Sequence, residues 1–185
     1  LMADVGLMGL YLLDCRCMIR LARIVGREDV IGEMEERIEK AVTLFKEGYN
    51  CSQSVVAAFA DMYGFTQEQA LKMAASFGGG IGRMRQTCGA ACGMFLLAGL
   101  ETGATDGADQ EGKARNYEVV QALAEKFKAE NGSLICAELL GLSKQAPTPH
   151  TPEARTQEYY KKRPCAMMVE TAARIFAEYL EGKNA

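Results

Sequence analysis

The stretch SFGGGIGRMRQTCGAACGMFLLAGL, residues 76–100, determines how the chain around it folds. It opens with four glycines in five positions, passes through a segment with two arginines, and is then small and apolar to its end. This order is typical of a glycine-rich turn that leads into a buried helix. We predict that Thr87 is the N-cap of this helix and that Cys88 is its first residue.

A cysteine at the start of a helix is readily activated. The amide groups of the first turn have no partner within the helix, and the helix dipole is positive at this end. Both effects favour the thiolate, which is the form that attacks disulfides and binds metals. We expect Arg83 and Arg85 to add positive potential, so that Cys88 has the lowest pKa of the seven cysteines.

The composition is that of a globular protein. A chain of 185 residues that is 49% hydrophobic and 24% charged can bury a core as a single domain. The net charge of −3 argues against nucleic acid as the main partner. His150 is the only histidine, which excludes a histidine-rich metal site, and we expect it to be exposed in a proline-flanked loop.

Seven cysteines are many for a chain of this size and composition. Their number is odd, and the chain is long enough to fold without a disulfide framework. Metal binding or redox chemistry in a cytoplasmic protein is therefore the preferred interpretation.

The first 33 residues differ from the rest of the chain. The apolar run Leu7 to Leu21 is interrupted by three charged residues, so we predict no membrane span. We interpret residues 1–33 as a peripheral N-terminal helix or an upstream extension, and residues 34–185 as a helical redox domain. We expect the extension to be dispensable for the fold and for the cysteine site.

Apolar residues recur at helical spacing through the rest of the chain, and no alternating strand pattern is present. We predict an all-α, single-domain bundle of about six to eight helices. Met62 and Tyr117 are assigned to buried helix faces. The predicted helices cover 34–47, 51–63, 66–77, 88–100, 113–130, 134–140, a segment that begins at 151–153, and 165–180.

Four cysteines fall in the first turns of four different predicted helices. Cysteine has no strong intrinsic preference for that position, which Ser, Thr, Asp and Asn favour. A single case is as well explained by burial of a small apolar side chain, but four cases point to a shared site. We predict that four sulfurs converge, those of Cys51, Cys88, Cys136 and Cys165.

Cys92 lies one helical turn after Cys88 and faces the same side. It either resolves an oxidised Cys88 or packs in the core. The small residues Gly89 and Gly93 form a seam that admits a neighbouring helix, so core packing is the preferred interpretation.

The glycine turn does not fit a phosphate-binding loop, because its spacing is wrong and no strand precedes it. We therefore expect no nucleotide. Close approach of the backbone to the cysteine site fits better, with amides of Gly79, Gly80 and Gly82 donating to sulfur and tuning a cofactor.

The order of these segments resembles the family of redox-active proteins named for its C–GCAxxG–C–C pattern. The resemblance extends over nearly all of the chain after the first 33 residues. The matching segments are Tyr49–Gln53, Phe77–Gly82, Cys88–Gly93, Cys136–Gly141 and Cys165. It implies a small helical redox protein of bacteria or archaea, with Cys51, Cys88, Cys136 and Cys165 as the four cysteines of the pattern.

A domain related to this family occurs in the split-Soret type of cytochrome c, which carries haem and an iron–sulfur centre. The present chain has no C-x-x-C-H motif, so covalent haem is not expected. We expect the four cysteines to bind an iron–sulfur cluster or another thiophilic metal and to pass electrons to a redox partner protein.

Two alternatives stay open. In the first, the protein is metal-free and performs thiol–disulfide exchange, with Cys88 attacking and Cys51 as a second redox thiol. In the second, it is a non-catalytic helical module with a structural zinc ion bound by the four cysteines. The sequence does not decide whether the protein is an enzyme or whether it forms a homodimer.

Overall fold

The computed structural model describes residues 28–143 and 147–183. Within these ranges the protein has eight α-helices and no β-strand, so the predicted all-α bundle is confirmed. Two 3-10 helices extend α2 and α3, over Ala60–Tyr63 and Ala75–Phe77. The α-helices are α1 (Glu28–Lys46), α2 (Cys51–Phe59), α3 (Gln67–Ala74), α4 (Gly89–Thr102), α5 (Gln110–Asn131), α6 (Cys136–Leu139), α7 (Gln157–Lys162) and α8 (Cys165–Lys183).

The chain divides into two compact units, Leu1–Glu36 and Arg37–Ala185. Helix α1 begins at Glu28, so the predicted helix start at Met34 is wrong. The apolar run Leu7 to Leu21 lies outside the described residues, and the division into residues 1–33 and 34–185 stays a prediction. In the part of the chain that the structure describes, every helix is too short or too polar to cross a bilayer.

Helix α4 lies at the centre of the second unit, where it packs against α2, α5 and α8. Its small residues allow this packing. A Cβ added at Gly93 would lie 3.0 Å from the carbonyl oxygen of Ser52 and 3.0 Å from Cβ of Val55. The predicted small-residue seam is thus the contact surface between α4 and α2, and it brings the starts of these two helices together.

The start of α4 differs from the prediction by one residue. Cys88 is the N-cap, and helical backbone begins at Gly89. Thr87 instead forms an isolated antiparallel bridge with Ile135. The bridge requires extended backbone at Thr87. Hydrogen bonds flank it, and one of them runs from Cys88 N–H to the Leu134 oxygen at 2.7 Å.

Capping motifs in the sequence predicted the starts of the neighbouring helices α2 and α3 correctly. Asn50 and Gln53 exchange side-chain and backbone hydrogen bonds at the start of α2, and Thr66 and Gln69 do the same at the start of α3. These capping boxes satisfy amides that no intrahelical carbonyl can reach. Both predicted capping boxes are confirmed.

Three predictions about individual positions are wrong. Met62 is 42% exposed, because the chain tightens into a 3-10 helix after Phe59 and the helical face rotates. Tyr117 is 62% exposed, while Leu123 and Phe127 form the buried face of α5.

The third wrong prediction concerns the helix expected to begin at 151–153. This helix begins later, at Gln157. Thr156 is its N-cap and accepts a hydrogen bond from the Tyr159 amide. In the segment before this helix, Glu153 contacts Arg163 and Arg83.

Candidate redox site

A cavity of about 260 Å³ lies where the starts of α2, α4, α6 and α8 meet. The glycine turn forms one wall, and residues 150–155 contribute to the other side. Four cysteines line it, one from each helix start: Cys51, Cys88, Cys136 and Cys165. The structure thus brings together the four cysteines that the sequence singled out.

The start of α2 is locked against the glycine turn. The Asn50 side-chain amide donates a hydrogen bond to the Ala75 oxygen at 2.9 Å, while its oxygen caps α2. A Cβ at Gly78 would lie 2.4 Å from Cγ of Asn50. Glycine at this position therefore allows the contact that holds Cys51 at the cavity.

Gly80 makes the corresponding space for Cys136. Its φ is +73°, and an added Cβ would lie 2.5 Å from Cβ of Cys136. Gly79 and Gly82 also have left-handed backbone, and all three glycines line the cavity. The close backbone approach expected from the glycine run is present here.

Three residues of the same turn adopt left-handed backbone although they carry side chains: Ile81, Arg83 and Arg85. Such conformations are uncommon and persist where surrounding contacts enforce them. Here the backbone hydrogen bonds of the turn do so, including Gln86 N–H to the Gly80 oxygen at 3.1 Å. The last of the three, Arg85, is buried beside the cavity.

Cys51 and Cys165 both line the cavity, and each shifts the pKa of the other. The hydrogen bond from the Cys51 thiol to the Cys165 sulfur, assisted by the charges of Arg163 and Arg155, lowers the pKa of Cys165 to about 7. The same hydrogen bond, together with burial, raises the pKa of Cys51 well above its usual range. The pKa of Cys165 is therefore the lower of the two.

Cys88 and Cys136 are in a different environment. Burial raises the pKa of Cys88 to about 12, although the nearby Ala91 and Ala90 amides act to lower it. Burial also raises the pKa of Cys136, against a hydrogen bond from Arg85. The prediction that Cys88 has the lowest pKa is therefore wrong: the helix start acts as expected, but desolvation outweighs it.

Cys92 does not line the cavity. Its thiol donates to the Thr87 oxygen at 3.8 Å, and burial raises its pKa to about 11. This position favours the core-packing interpretation. Cys15 and Cys17 lie outside the described residues.

Two arginines present buried N–H groups that meet no acceptor among the described residues, Arg85 at Nε and Arg155 at Nη1. Arg155 is held by its other groups: Nη2 donates to the Tyr49 oxygen at 3.3 Å, and the guanidinium stacks on Tyr159 at 4.6 Å. Buried donors without partners are rare and call for an explanation. Both residues line the cavity, where an acceptor could reach them.

The other two arginines of the cavity share one carboxylate. Arg163 forms an ion pair with Glu153 at 2.6 Å, and Arg83 approaches the same carboxylate at 3.7 Å. Arg83 also donates from Nε to the Pro149 oxygen at 2.8 Å, which ties the loop that carries His150 to the glycine turn. His150 is exposed at the edge of the cavity, as expected.

Side chains suited to a single metal ion are not gathered at one point. Within residues 28–143 and 147–183, no three His, Cys, Asp or Glu side chains are grouped so that they could hold one ion. Metal binding by the four cysteines of the cavity stays a prediction.

The family model described as "Putative redox-active protein (C_GCAxxG_C_C)" matches residues 49–179, which is most of the chain. The chain belongs to this family. The resemblance found in the sequence is thereby confirmed. Neither the curated proteins nor the solved structures contain a match. All four cavity cysteines of this C_GCAxxG_C_C protein fall within the matched residues.

The sequence interpretation missed Arg155, Tyr159 and Arg163 as parts of the site. Tyr159 stacks with both arginines, which places their charges beside Cys165. One signal was available, since Arg163 precedes Pro164 and Cys165 directly at the start of α8. The contribution of Arg155 depends on tertiary structure and leaves no local signal.

Proposed function

We propose that this protein performs thiol–disulfide exchange, with Cys51 and Cys165 alternating between two thiols and one disulfide. Their placement in one cavity carries the proposal, because each thiol shifts the pKa of the other and the pKa of Cys165 is the lower. A thiolate beside a protonated thiol is the arrangement that attack and resolution require.

The arginines and the two cysteines have separate roles in this reaction. The Arg163 and Arg155 charges stabilise the thiolate of Cys165, which attacks one sulfur of a disulfide partner and releases one thiolate. Cys51 then loses its proton and attacks the Cys165 sulfur, which releases the second thiol of the partner. The protein is left with a Cys51–Cys165 disulfide, and the partner has gained two electrons.

An iron–sulfur cluster is the second candidate, favoured by the convergence of four buried or half-buried cysteines. Four thiols are the usual ligand set of such clusters, and Cys51, Cys88, Cys136 and Cys165 would hold it. The cluster would supply one-electron transfer. Since thiolate ligands make a bound cluster anionic, the unpaired N–H groups of Arg85 and Arg155 fit it as hydrogen-bond donors.

The structural zinc ion is the weakest of the three hypotheses. A zinc ion draws its four ligands around one point. In the part of the chain that the structure describes, no such group of side chains is present.

An absorption spectrum and a thiol count on protein purified without air test the proposal. We expect a colourless protein that loses two thiols on treatment with one equivalent of diamide and regains them with dithiothreitol. Cys51→Ser and Cys165→Ser should abolish this loss. Cys92→Ser is the matched control and should retain it, because Cys92 lies off the cavity.

Visible charge-transfer bands, with iron and sulfide in the purified protein, would instead select the cluster. In that case serine at any of the four cavity cysteines should weaken the bands. Cys92→Ser should leave them in place.

A further inference from the structure

The side chains that line the cavity carry an imbalance of charge. Of the described residues that line it, four are arginines and none is an aspartate or a glutamate. Glu153 reaches two of them, Arg83 and Arg163, from outside the lining. Within residues 28–143 and 147–183, no carboxylate forms an ion pair with Arg85 or Arg155.

Arg85 is the more deeply buried of these two arginines. Its residue is 9% exposed, and its Nε–H meets no acceptor within the described residues. Its backbone is left-handed and its carbonyl oxygen accepts from the Ala137 amide, while its guanidinium interacts with the Cys136 thiol. A buried guanidinium with an unpaired donor beside a cavity is suited to bind an anionic group.

Arg155 provides a second donor in a fixed position. Phe45 and Tyr159 hold its guanidinium at 4.8 and 4.6 Å from their ring centres, and Nη1 is the group left unpaired among the described residues. The two donors belong to the cavity that also contains Cys165, which is the least buried of the described cysteines.

We infer that the cavity binds a small disulfide compound bearing an acidic group, carboxylate or sulfonate, with the acidic group on Arg85 and Arg155 and a sulfur at Cys165. This inference rests on the thiol–disulfide exchange proposed above. A cavity of about 260 Å³ admits a small molecule and not a folded protein domain, which favours a free disulfide as substrate.

The reaction balances without a further reagent. The Cys165 sulfur bonds to one substrate sulfur, the substrate S–S bond breaks, and the first product leaves as a thiolate. The Cys51 sulfur then bonds to Cys165, the mixed disulfide breaks, and the second product takes up the Cys51 proton through solvent. The substrate gains two electrons, and the two cysteines lose them.

Three symmetric disulfides with the same two-carbon arm test the inference by charge. They are dithiobis(ethanesulfonate), which is anionic, bis(2-hydroxyethyl) disulfide, which is neutral, and cystamine, which is cationic. Reduced full-length protein is mixed with each, quenched with acid, and the Cys51–Cys165 disulfide is quantified by peptide mass spectrometry. Each rate is divided by the rate of dithiothreitol with the same compound, which removes intrinsic differences in reactivity.

We expect the anionic compound to react at least about tenfold faster than the neutral one, and the cationic compound to be slowest. Arg85→Gln and Arg155→Gln should bring the anionic-to-neutral ratio close to one. Arg174→Gln is the control, since Arg174 pairs with Glu130 and Glu178 and does not line the cavity. It should keep the ratio of the wild type.

The outcomes separate the two proposals. If the neutral compound forms the disulfide and charge has no effect, the anionic substrate class is wrong while the exchange function stands. If none of the three compounds forms the Cys51–Cys165 disulfide, the exchange function itself is wrong. Dithiodipropionate, run beside the sulfonate, shows whether a carboxylate, a sulfonate or either is accepted.

Discussion

The start of α8 and the start of α4 look alike in sequence and behave differently in the structure. Each places a cysteine at a helix N-terminus shortly after an arginine. Yet the pKa of Cys165 is lowered to about 7, whereas the pKa of Cys88 is raised to about 12.

The difference shows which factor decides thiol reactivity in this fold. At Cys88 the helix amides stabilise the thiolate, but burial destabilises the thiolate by more, so the pKa rises. At Cys165 a thiol donor and nearby guanidinium charges outweigh a smaller burial. A helix start is therefore insufficient, and a cysteine becomes reactive here when charge and partial exposure accompany it.

The largest expected effect is the contrast in alkylation rate between these two cysteines. With pKa values of about 7 and about 12, Cys165 should react with iodoacetamide on the order of a hundred- to a thousandfold faster than Cys88 at neutral pH. Because the thiolate reacts, the Cys165 rate should rise with pH and level off above about 7. Peptide mass spectrometry of time points on reduced protein measures both rates.

Cys92 serves as the internal control in that experiment, since burial raises its pKa to about 11 and it should also be slow. Faster alkylation of Cys88 than of Cys165 would reverse the comparison. The exchange mechanism would then need Cys88 as its nucleophile.

The second prediction concerns the glycine wall beside Cys136. In Gly80→Ala the new Cβ would collide with Cys136 in left-handed backbone, so we expect a loss of about 2–4 kcal/mol in the free energy of unfolding. Gly99→Ala is the matched control, because Gly99 is exposed within α4 and has open space around it. It should stabilise by up to about 1 kcal/mol.

Urea unfolding followed by circular dichroism measures both variants. Equal stability of Gly80→Ala and the wild type would mean that the turn does not approach Cys136 as closely as described.

A smaller effect is expected on the arginine side of the cavity. Arg163→Gln removes a charge that lowers the pKa of Cys165, so that pKa should rise and alkylation of Cys165 at pH 7 should slow by roughly three- to tenfold. Lys161→Gln removes a charge that is also close in sequence, but Lys161 is exposed and pairs with Glu158. It should leave the pH dependence of Cys165 alkylation unchanged. An equal shift of that pH dependence in both variants would exclude a specific role for Arg163.

Much of the fold could be predicted from local chemistry. Asn50 with Gln53 and Thr66 with Gln69 indicated two helix starts, because a capping box is built from residues three apart. The convergence of four cysteines was predictable for a related reason, since each lies at a helix start and helix starts can meet at one end of a bundle. The start of α4 was missed by one residue, because Thr87 forms a bridge with Ile135, which lies far along the chain.

The electrostatics of the site could not be predicted. Cys165 depends on Cys51 for its hydrogen bond, and the two residues are far apart in sequence. Arg155 reaches the cavity because Tyr159 and Phe45 hold it there. Burial of Cys88 likewise results from packing around α4, which periodicity indicates without giving its extent at a single thiol.

The central claim is that Cys51 and Cys165 are the redox pair, and the identity of the first disulfide formed tests it most directly. Reduced protein is oxidised without air by one equivalent of diamide, quenched in acid, digested, and mapped by mass spectrometry. We expect one dominant linkage, between Cys51 and Cys165. A dominant linkage of Cys88 to Cys136 or to Cys92 would contradict the claim.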